Sequence, residues 1–384
     1  IDTRPLVDFT MPSVLQAGVD SKVTLYGRYL PGGQPTDQLL DDAPLFKQEV
    51  SINVGATAMH AGADSAAAEI DTILHSAVDG NLLRFGLNTV AVPAVIEVDQ
   101  PDALVVAVPT DIAASFATEL DEDVYRFAAT KGQQWQIDVL ADRLGSSADP
   151  VLILEQVVKA ADGAETLKRL AREDVGKQNP GGNDLPTLTS DPSFLLTAPE
   201  DGQYQVRLSD QYGASRGNPG LTYTLSIKAP QPGFQVVLFD SQPSADGKAP
   251  PVTGAISLRK GGTYTVPVYA YRTGGHNADI RILPKELPNG ITVSSAVIPA
   301  GKSSTTLVLT AAPDAEDKVS SVFFMAASEN IPETAVKVAT LVHAGANGLP
   351  RTARVTDALL VSVMKDEEPF QLTLAVVDVQ MTQD

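Results

Sequence analysis

Three groups of residues in this chain have the types and spacing to do chemistry: one serine between spaced glycines, four histidines and a set of loop carboxylates. Gly213-Ala-Ser215-Arg-Gly217 matches the Gly-x-Ser-x-Gly nucleophile elbow. That elbow works only when a strand, a strained turn and a helix expose the hydroxyl beside oxyanion donors. Here Asn218-Pro219-Gly220 follows and forbids the helix, so Ser215 reads as part of a hairpin loop. His60, His75, His276 and His343 stand apart, with no His-Glu-x-x-His arrangement, and read as loop or edge residues. Asp121, Glu122 and Asp123 precede a strand, while Asp191, Asp201 and Asp210 end others. Alternate Asp residues, as at Asp121 and Asp123, can aim oxygens at one Ca²⁺ if the loop curls, and that ion takes about six to eight such oxygens; the choice of these two as ligands of a structural calcium comes from the resemblance given below. The competing reading is that Asp191-Pro and Asp201-Gly form turns and cap their own backbone. No catalytic residue and no cofactor other than that calcium is expected.

The elements that position these residues read as strands. Gly and Pro fall between short runs rich in Val, Leu, Ile, Thr and Tyr, the punctuation of β-sandwiches. Runs such as Val124 to Phe127, Gln134 to Leu140, Tyr204 to Leu208, Leu221 to Ile227, Tyr264 to Tyr271 and Thr305 to Thr310 include several that alternate with period two, burying one face and wetting the other. Trp135, the single tryptophan, sits on one of them as a core residue. Residues 64–78 differ, placing Ala67, Ile70 and Leu74 at helical spacing; the segment reads as a short helix or an irregular strand. Proline-rich connectors at 93–109 and 228–233 divide the chain into residues 1–95, 96–229 and 230–384.

At 384 residues the chain exceeds what one core usually organises. Its 28 basic and 47 acidic residues give a net charge of −19, which repels nucleic acid and anionic lipid. With no cysteine there are no disulfides and no thiolate chemistry. No apolar stretch approaches the roughly 20 residues of a membrane span. The chain begins at Ile1 without methionine, pointing to a removed signal peptide or to a fragment of a longer protein.

A split signature carries a resemblance. Asp121-Glu-Asp-Val-Tyr125-Arg-Phe127, Lys131-Gly132 and Trp135-Gln-Ile137-Asp-Val139 are answered by Asp191-Pro-Ser-Phe194 and Pro199-Glu-Asp-Gly202-Gln-Tyr204-Gln-Val206-Arg-Leu208. These resemble the first and last hairpins of the bacterial pre-peptidase C-terminal domain over about residues 109–227. The resemblance implies a secreted, non-catalytic jelly-roll sandwich that in some members binds calcium near the domain entrance. Its departure is the long loop over residues 172–190, the first place to seek a partner contact. Upstream, Pro12-Ser-Val-Leu15 and Val23-Thr-Leu-Tyr26-Gly27 are similar to the start of a bacterial immunoglobulin-like domain. Downstream, Leu287-Pro288-Asn-Gly290-Ile291-Thr is similar to a turn of bacterial immunoglobulin-like repeats. The expected architecture is all-β, three tandem β-sandwiches: immunoglobulin-like, jelly-roll, immunoglobulin-like. Phe370 to Val379 echoes Phe234 to Leu238 and reads as the closing strand of the third sandwich, the first strand of a further domain, or a strand that adds to a neighbouring subunit.

The resemblance implies an exported, non-enzymatic array in the cell envelope or outside a bacterial cell, structural, adhesive or binding. Its expected partners are protein or carbohydrate at the cell surface, or further copies of itself, not nucleic acid. An accessory region of a larger secreted peptidase is the alternative.

Overall fold

The computed structural model describes residues 4–16, 18–40, 43–53, 71–76, 82–90, 95–97, 102–182, 188–240, 255–343 and 352–367. Among the described residues there is no α-helix, and Asp142–Leu144 forms a single 3₁₀ turn. Everything regular is strand, arranged as tandem β-sandwiches. The chain divides into two compact units, Ile1–Phe234 with Tyr271–His276, and Gln235–Ala270 with Asn277–Asp384.

The first unit holds two sandwiches. In the N-terminal one, a sheet of strands ordered Leu6–Met11, Asp20–Arg28, Ala43–Asn53 and Gln34–Leu40 faces a smaller sheet of Val14–Gln16, Leu82–Val90 and Asp71–Ser76. Val23, Leu25, Val50 and Ile52 from the first meet Leu15, Phe85 and Leu87 from the second. The described part of residues 64–78 is therefore strand, not helix: Asp71–Ser76 pairs antiparallel with Leu82–Val90 from Asp71↔Leu87 to Ser76↔Leu82. Helical spacing over so short an apolar run does not outweigh a neighbouring strand that satisfies the backbone.

The middle sandwich brings the split signature together. One sheet runs Glu165–Glu173, Pro150–Lys159, Gly202–Asp210, Glu122–Ala129, Leu104–Val105; the other runs Ser193–Thr197, Gln134–Leu140, Thr222–Lys228, Thr110–Ser115, Val95–Ile96. Glu122–Ala129 lies antiparallel to Gly202–Asp210, with Tyr125 opposite Val206 and Phe127 opposite Tyr204. The period-two pattern turns Tyr125, Phe127, Trp135, Ile137, Tyr204, Val206, Tyr223 and Leu225 inward to one core. The proline-rich stretch 93–109 is more than a connector, because Val95–Ile96 and Leu104–Val105 add to the two sheets as parallel edge strands. Between the prolines, those residues keep their backbone donors and pair like any others.

The two sandwiches of this unit meet at a small buried seam. Ser13 Oγ lies 2.9 Å from Thr224 Oγ1. Val14 packs on Ala113, with Met11 against them.

In the second unit, strands including Ser304–Ala311 and Thr263–Thr273 form one sheet, and Val319–Ser328, Ile280–Glu286 and Leu359–Glu367 belong to another. Val266, Val268, Leu307, Leu309, Ile282, Val322, Phe324 and Val361 are buried. The Leu287-Pro288-Asn289-Gly290 turn carries the chain from one sheet to the other, from Ile280–Glu286 to Ile291–Val293. Gly290 has φ 78°, and a Cβ there would lie 2.8 Å from that of Ala315, so both conformation and space call for glycine. Phe370 to Val379 lies outside the described residues.

Phe127 is fully buried with its ring centroid 6.0 Å from that of Tyr204. Phe127→Ala is expected to lower the unfolding free energy by about 3–5 kcal/mol through the cavity it leaves. Urea denaturation of the two proteins measures this.

Candidate functional site

Asp123 is the second residue of Glu122–Ala129, and the strand's alternation turns it inward with Tyr125 and Phe127. On the facing sheet, the same alternation in Thr222–Lys228 aims Tyr223 at it. The Tyr223 hydroxyl donates to Asp123 Oδ2 at 2.5 Å, and the two tyrosine oxygens, Tyr125 and Tyr223, are 2.7 Å apart. Glu97 completes the group by hydrogen-bonding with Asp123 and Tyr125. It is placed by its own N–H, which donates to Ala113 O at 2.9 Å as the edge strand Val95–Ile96 ends.

This cluster has two carboxyl groups, two phenols and no cation among the groups that shift Asp123. Burial is the largest influence on Asp123 and the charge of Glu97 the next, and together they push it up to about 8 despite the hydrogen bond from Tyr223. Burial also raises both tyrosines well above their usual range. At neutral pH the Asp123–Glu97 pair therefore retains a proton between its two carboxyl groups, as a network of donors and acceptors and not as a pair of charges.

The sign of the pH effect follows. An ordinary aspartate in the unfolded chain ionises near about 4. Between there and about 8 the folded chain binds the proton more tightly, so this contribution is complete below the lower value and is lost as pH rises through the upper one. The difference in unfolding free energy between the native protein and Asp123→Asn is expected to shrink steadily from pH 5 to pH 8. Urea titrations across that range would show it, and a constant difference would contradict it.

Four other buried carboxylates in the middle sandwich are held the opposite way, by cations and backbone donors. Asp111 lies 2.8 Å from Lys228 Nζ. Glu155 accepts from Arg207 Nη2 at 2.7 Å and Gln205 Nε2 at 3.0 Å. Asp191 accepts from the N–H groups of Ala141, Asp142 and Arg143 and from Arg143 Nε at 2.6 Å. Asp210 accepts from the N–H groups of Asp149 and Tyr212 and takes both Nε and Nη2 of Arg216 at 2.8 Å. Burial pushes Asp210 up, but Arg216 and those backbone donors outweigh it and hold it below the usual range.

Asp121 and Asp123, the candidate calcium ligands, are thus close in the chain but differently employed. Asp121 Oδ2 accepts from Ala117 N–H at 2.7 Å and Thr118 N–H at 3.4 Å, closing the turn before the strand. Asp201 has the same kind of role, accepting from Lys131 N–H at 2.6 Å. Among the described residues no group of three or more His, Cys, Asp or Glu side chains is arranged to hold a metal. In this arrangement the donors do not fit calcium, which wants several ionised oxygens around one point. Asp121→Asn with Asp123→Asn is accordingly expected to leave the response of the melting temperature to millimolar Ca²⁺ at pH 7 unchanged; a calcium-dependent rise of several degrees that this variant loses would assign these carboxylates to the ion.

The remaining sequence candidates fall elsewhere. Ser215 closes a turn, its hydroxyl donating to Tyr212 O at 3.1 Å, and no helix follows. The flanking glycine is needed for packing, since a Cβ on Gly217 would stand 1.9 Å from the Thr118 carbonyl carbon. Trp135 is core. His276 is buried, and burial followed by the charge of Arg272 lowers its pKa; the side chains of the other three histidines lie outside the described residues. In the 172–190 segment, Arg172 and Glu173 still belong to Glu165–Glu173, residues 174–182 and 188–190 form no strand, and 183–187 lie outside the described residues. Sequence reasoning missed Glu97, hidden in the proline-rich stretch, and Tyr223, which looked like any inward residue. An aromatic hydroxyl on a buried strand face was the available signal, because such a group needs a polar partner.

Protein-family models gave no match to the chain, and neither did curated proteins. Among solved structures it is similar to the pre-peptidase C-terminal domain of collagenase from Bacillus anthracis, at 17% identity over 34% of this chain and 100% of that one, TM-score 0.24. It is also similar to CorA, a surface-associated copper-binding protein of Methylomicrobium album BG8, at 10% identity over 33% and 97%, TM-score 0.22. A third similarity is to tripeptidyl peptidase 2, at 9% identity over 82% and 25%, TM-score 0.17.

Proposed function

We propose that the chain is a non-enzymatic array of β-sandwiches, exported and serving as a structural, adhesive or binding component of a bacterial cell-surface or extracellular assembly. The observation that carries this reading is where the buried polar chemistry of the middle sandwich goes. Asp111, Glu155, Asp191 and Asp210 are each tied to a cation, and Ser215 is tied to a backbone carbonyl. These groups hold a frame, whereas a hydrolase needs nucleophile, base and oxyanion donors converging in one pocket. The split signature supports export, through the secreted family it resembles. The net charge of −19 suits a soluble, crowded setting and disfavours nucleic-acid partners. Among the described residues no helix is long and apolar enough to cross a membrane.

Fractionation of the native host, with the protein followed by antibody, tests the reading. Recovery in the envelope or culture medium is expected, and recovery in the cytosol would overturn it.

A further inference from the structure

Asp111 is the exception among the buried carboxylates of the middle sandwich. Glu155, Asp191 and Asp210 accept hydrogen bonds from side chains or from backbone N–H groups. Asp111 accepts none: both its oxygens are shut off from solvent without a hydrogen-bond partner, although Lys228 Nζ lies 2.8 Å from Oδ1. The ammonium is thus against the carboxyl group but outside hydrogen-bond geometry. A carboxylate so placed has lost its hydration and regained one charge contact, which leaves its burial poorly compensated.

The strands explain why the two residues meet. Thr110–Ser115 lies antiparallel to Thr222–Lys228, with Asp111 opposite Ser226. Lys228, two residues beyond Ser226 on the same face, is the diagonal neighbour of Asp111, and such neighbours stand about 7–8 Å apart, within reach of a long side chain. On the other side of Asp111, Ala113 is covered by Val14 of the N-terminal sandwich. Lys228 sits at the rim, with 38% of its side chain exposed against 0% for Asp111. Solvent is therefore kept from the carboxyl group, while a path outward remains along the lysine.

An amine held against a carboxyl group away from solvent can condense with it. Fixed proximity supplies effective molarities of about 10⁵–10⁸ M for well-oriented groups. Condensation also replaces two charges by one neutral amide, which removes their desolvation cost. We propose that Lys228 and Asp111 form an intramolecular isopeptide bond, a covalent cross-link between two neighbouring strands of the middle sandwich that lie at opposite ends of its sequence. A proton passes from the Lys228 ammonium to the Asp111 carboxylate, and the freed amine attacks Cγ. The N–C bond forms as a C–O bond breaks, and the departing oxygen leaves as water with the transferred proton and a second one from the nitrogen. The amide keeps the third, and no oxidant or other reactant enters. In a chain without cysteine, this bond closes a long loop of the unfolded polypeptide as a disulfide would. It is a property of the middle sandwich and stands or falls independently of where the chain is located.

Intact-mass spectrometry of the denatured full chain tests this. The native protein is expected to be lighter than its sequence requires by one water, and a proteolytic digest to contain the Asp111 peptide joined to the Lys228 peptide. Lys228→Arg keeps the positive charge but cannot form this amide; it is expected to show the full mass and a melting temperature lower by on the order of 10 °C. Asp111→Ser removes the other partner and is expected to show the full mass as well. Full mass for the native chain after days at neutral pH means an ion pair only and overturns the proposal. So does a missing water that persists in Lys228→Arg or maps to other residues. The mass and digest of the native chain decide the question even where neither variant folds.

Discussion

Taking a carboxylate out of water costs several kcal/mol unless the protein replaces what the solvent supplied. The middle sandwich answers that constraint in two ways, and much of its architecture follows from which one applies. At Asp191 and Asp210 the answer is a fixed cation plus backbone N–H groups from neighbouring turns. The bonds to Asp191 fix the 3₁₀ turn after Gln134–Leu140, and those to Asp210 fix the chain entering Pro150–Lys159. Those carboxylates join segments distant in sequence and hold the ends of both sheets in place. At Asp123 the answer is a proton, retained because burial and the charge of Glu97 outweigh the hydrogen bond from Tyr223. The same side chain type is a charged brace at one end of the fold and a neutral hydrogen-bond donor in its interior.

The legible parts of the fold were those whose physics is local. Glu122–Ala129 and Gln134–Leu140 announce themselves by period two, because each buries one face and wets the other. The turn at Gly290 was read from its similarity to a turn of bacterial immunoglobulin-like repeats, and its local physics agrees, since only a glycine adopts that backbone cheaply. Glu165–Glu173 was not readable: its residues are charged on both faces, and it is a strand because Pro150–Lys159 supplies its hydrogen bonds. Likewise Asp71–Ser76 could be told from a helix only by its partner. The site followed the same division. Asp123 was visible as an acidic residue at a strand entrance, but its partners Glu97 and Tyr223 reach it from the facing sheet, on two strands far apart in sequence. Its role is a product of tertiary pairing, which no spacing along the chain displays.

The short segment 93–109 shows how connection and core are combined. Its described strands are two residues each, too short to stand alone, yet each lies parallel on an edge of the sandwich. By pairing with Ile112 and Ala113, Val95 and Ile96 bring Glu97 to the buried tyrosines. The passage from one sandwich to the next is therefore also part of the polar interior of the second.

The outer strand Glu165–Glu173 has a consequence for how many copies of this chain could share a small volume. A bare sheet edge is a template on which another chain can crystallise into a continuous ribbon. Here that edge displays Glu165, Lys168, Arg169, Arg172 and Glu173, with Arg126 and Lys159 paired to Glu165 and Lys177 to Glu173. An arriving strand would have to strip water from this mixed row of ions for a few backbone hydrogen bonds. The edge thus acts as a colloidal spacer: it lets the sandwiches crowd without fusing, and leaves association to surfaces whose chemistry can be selected one contact at a time.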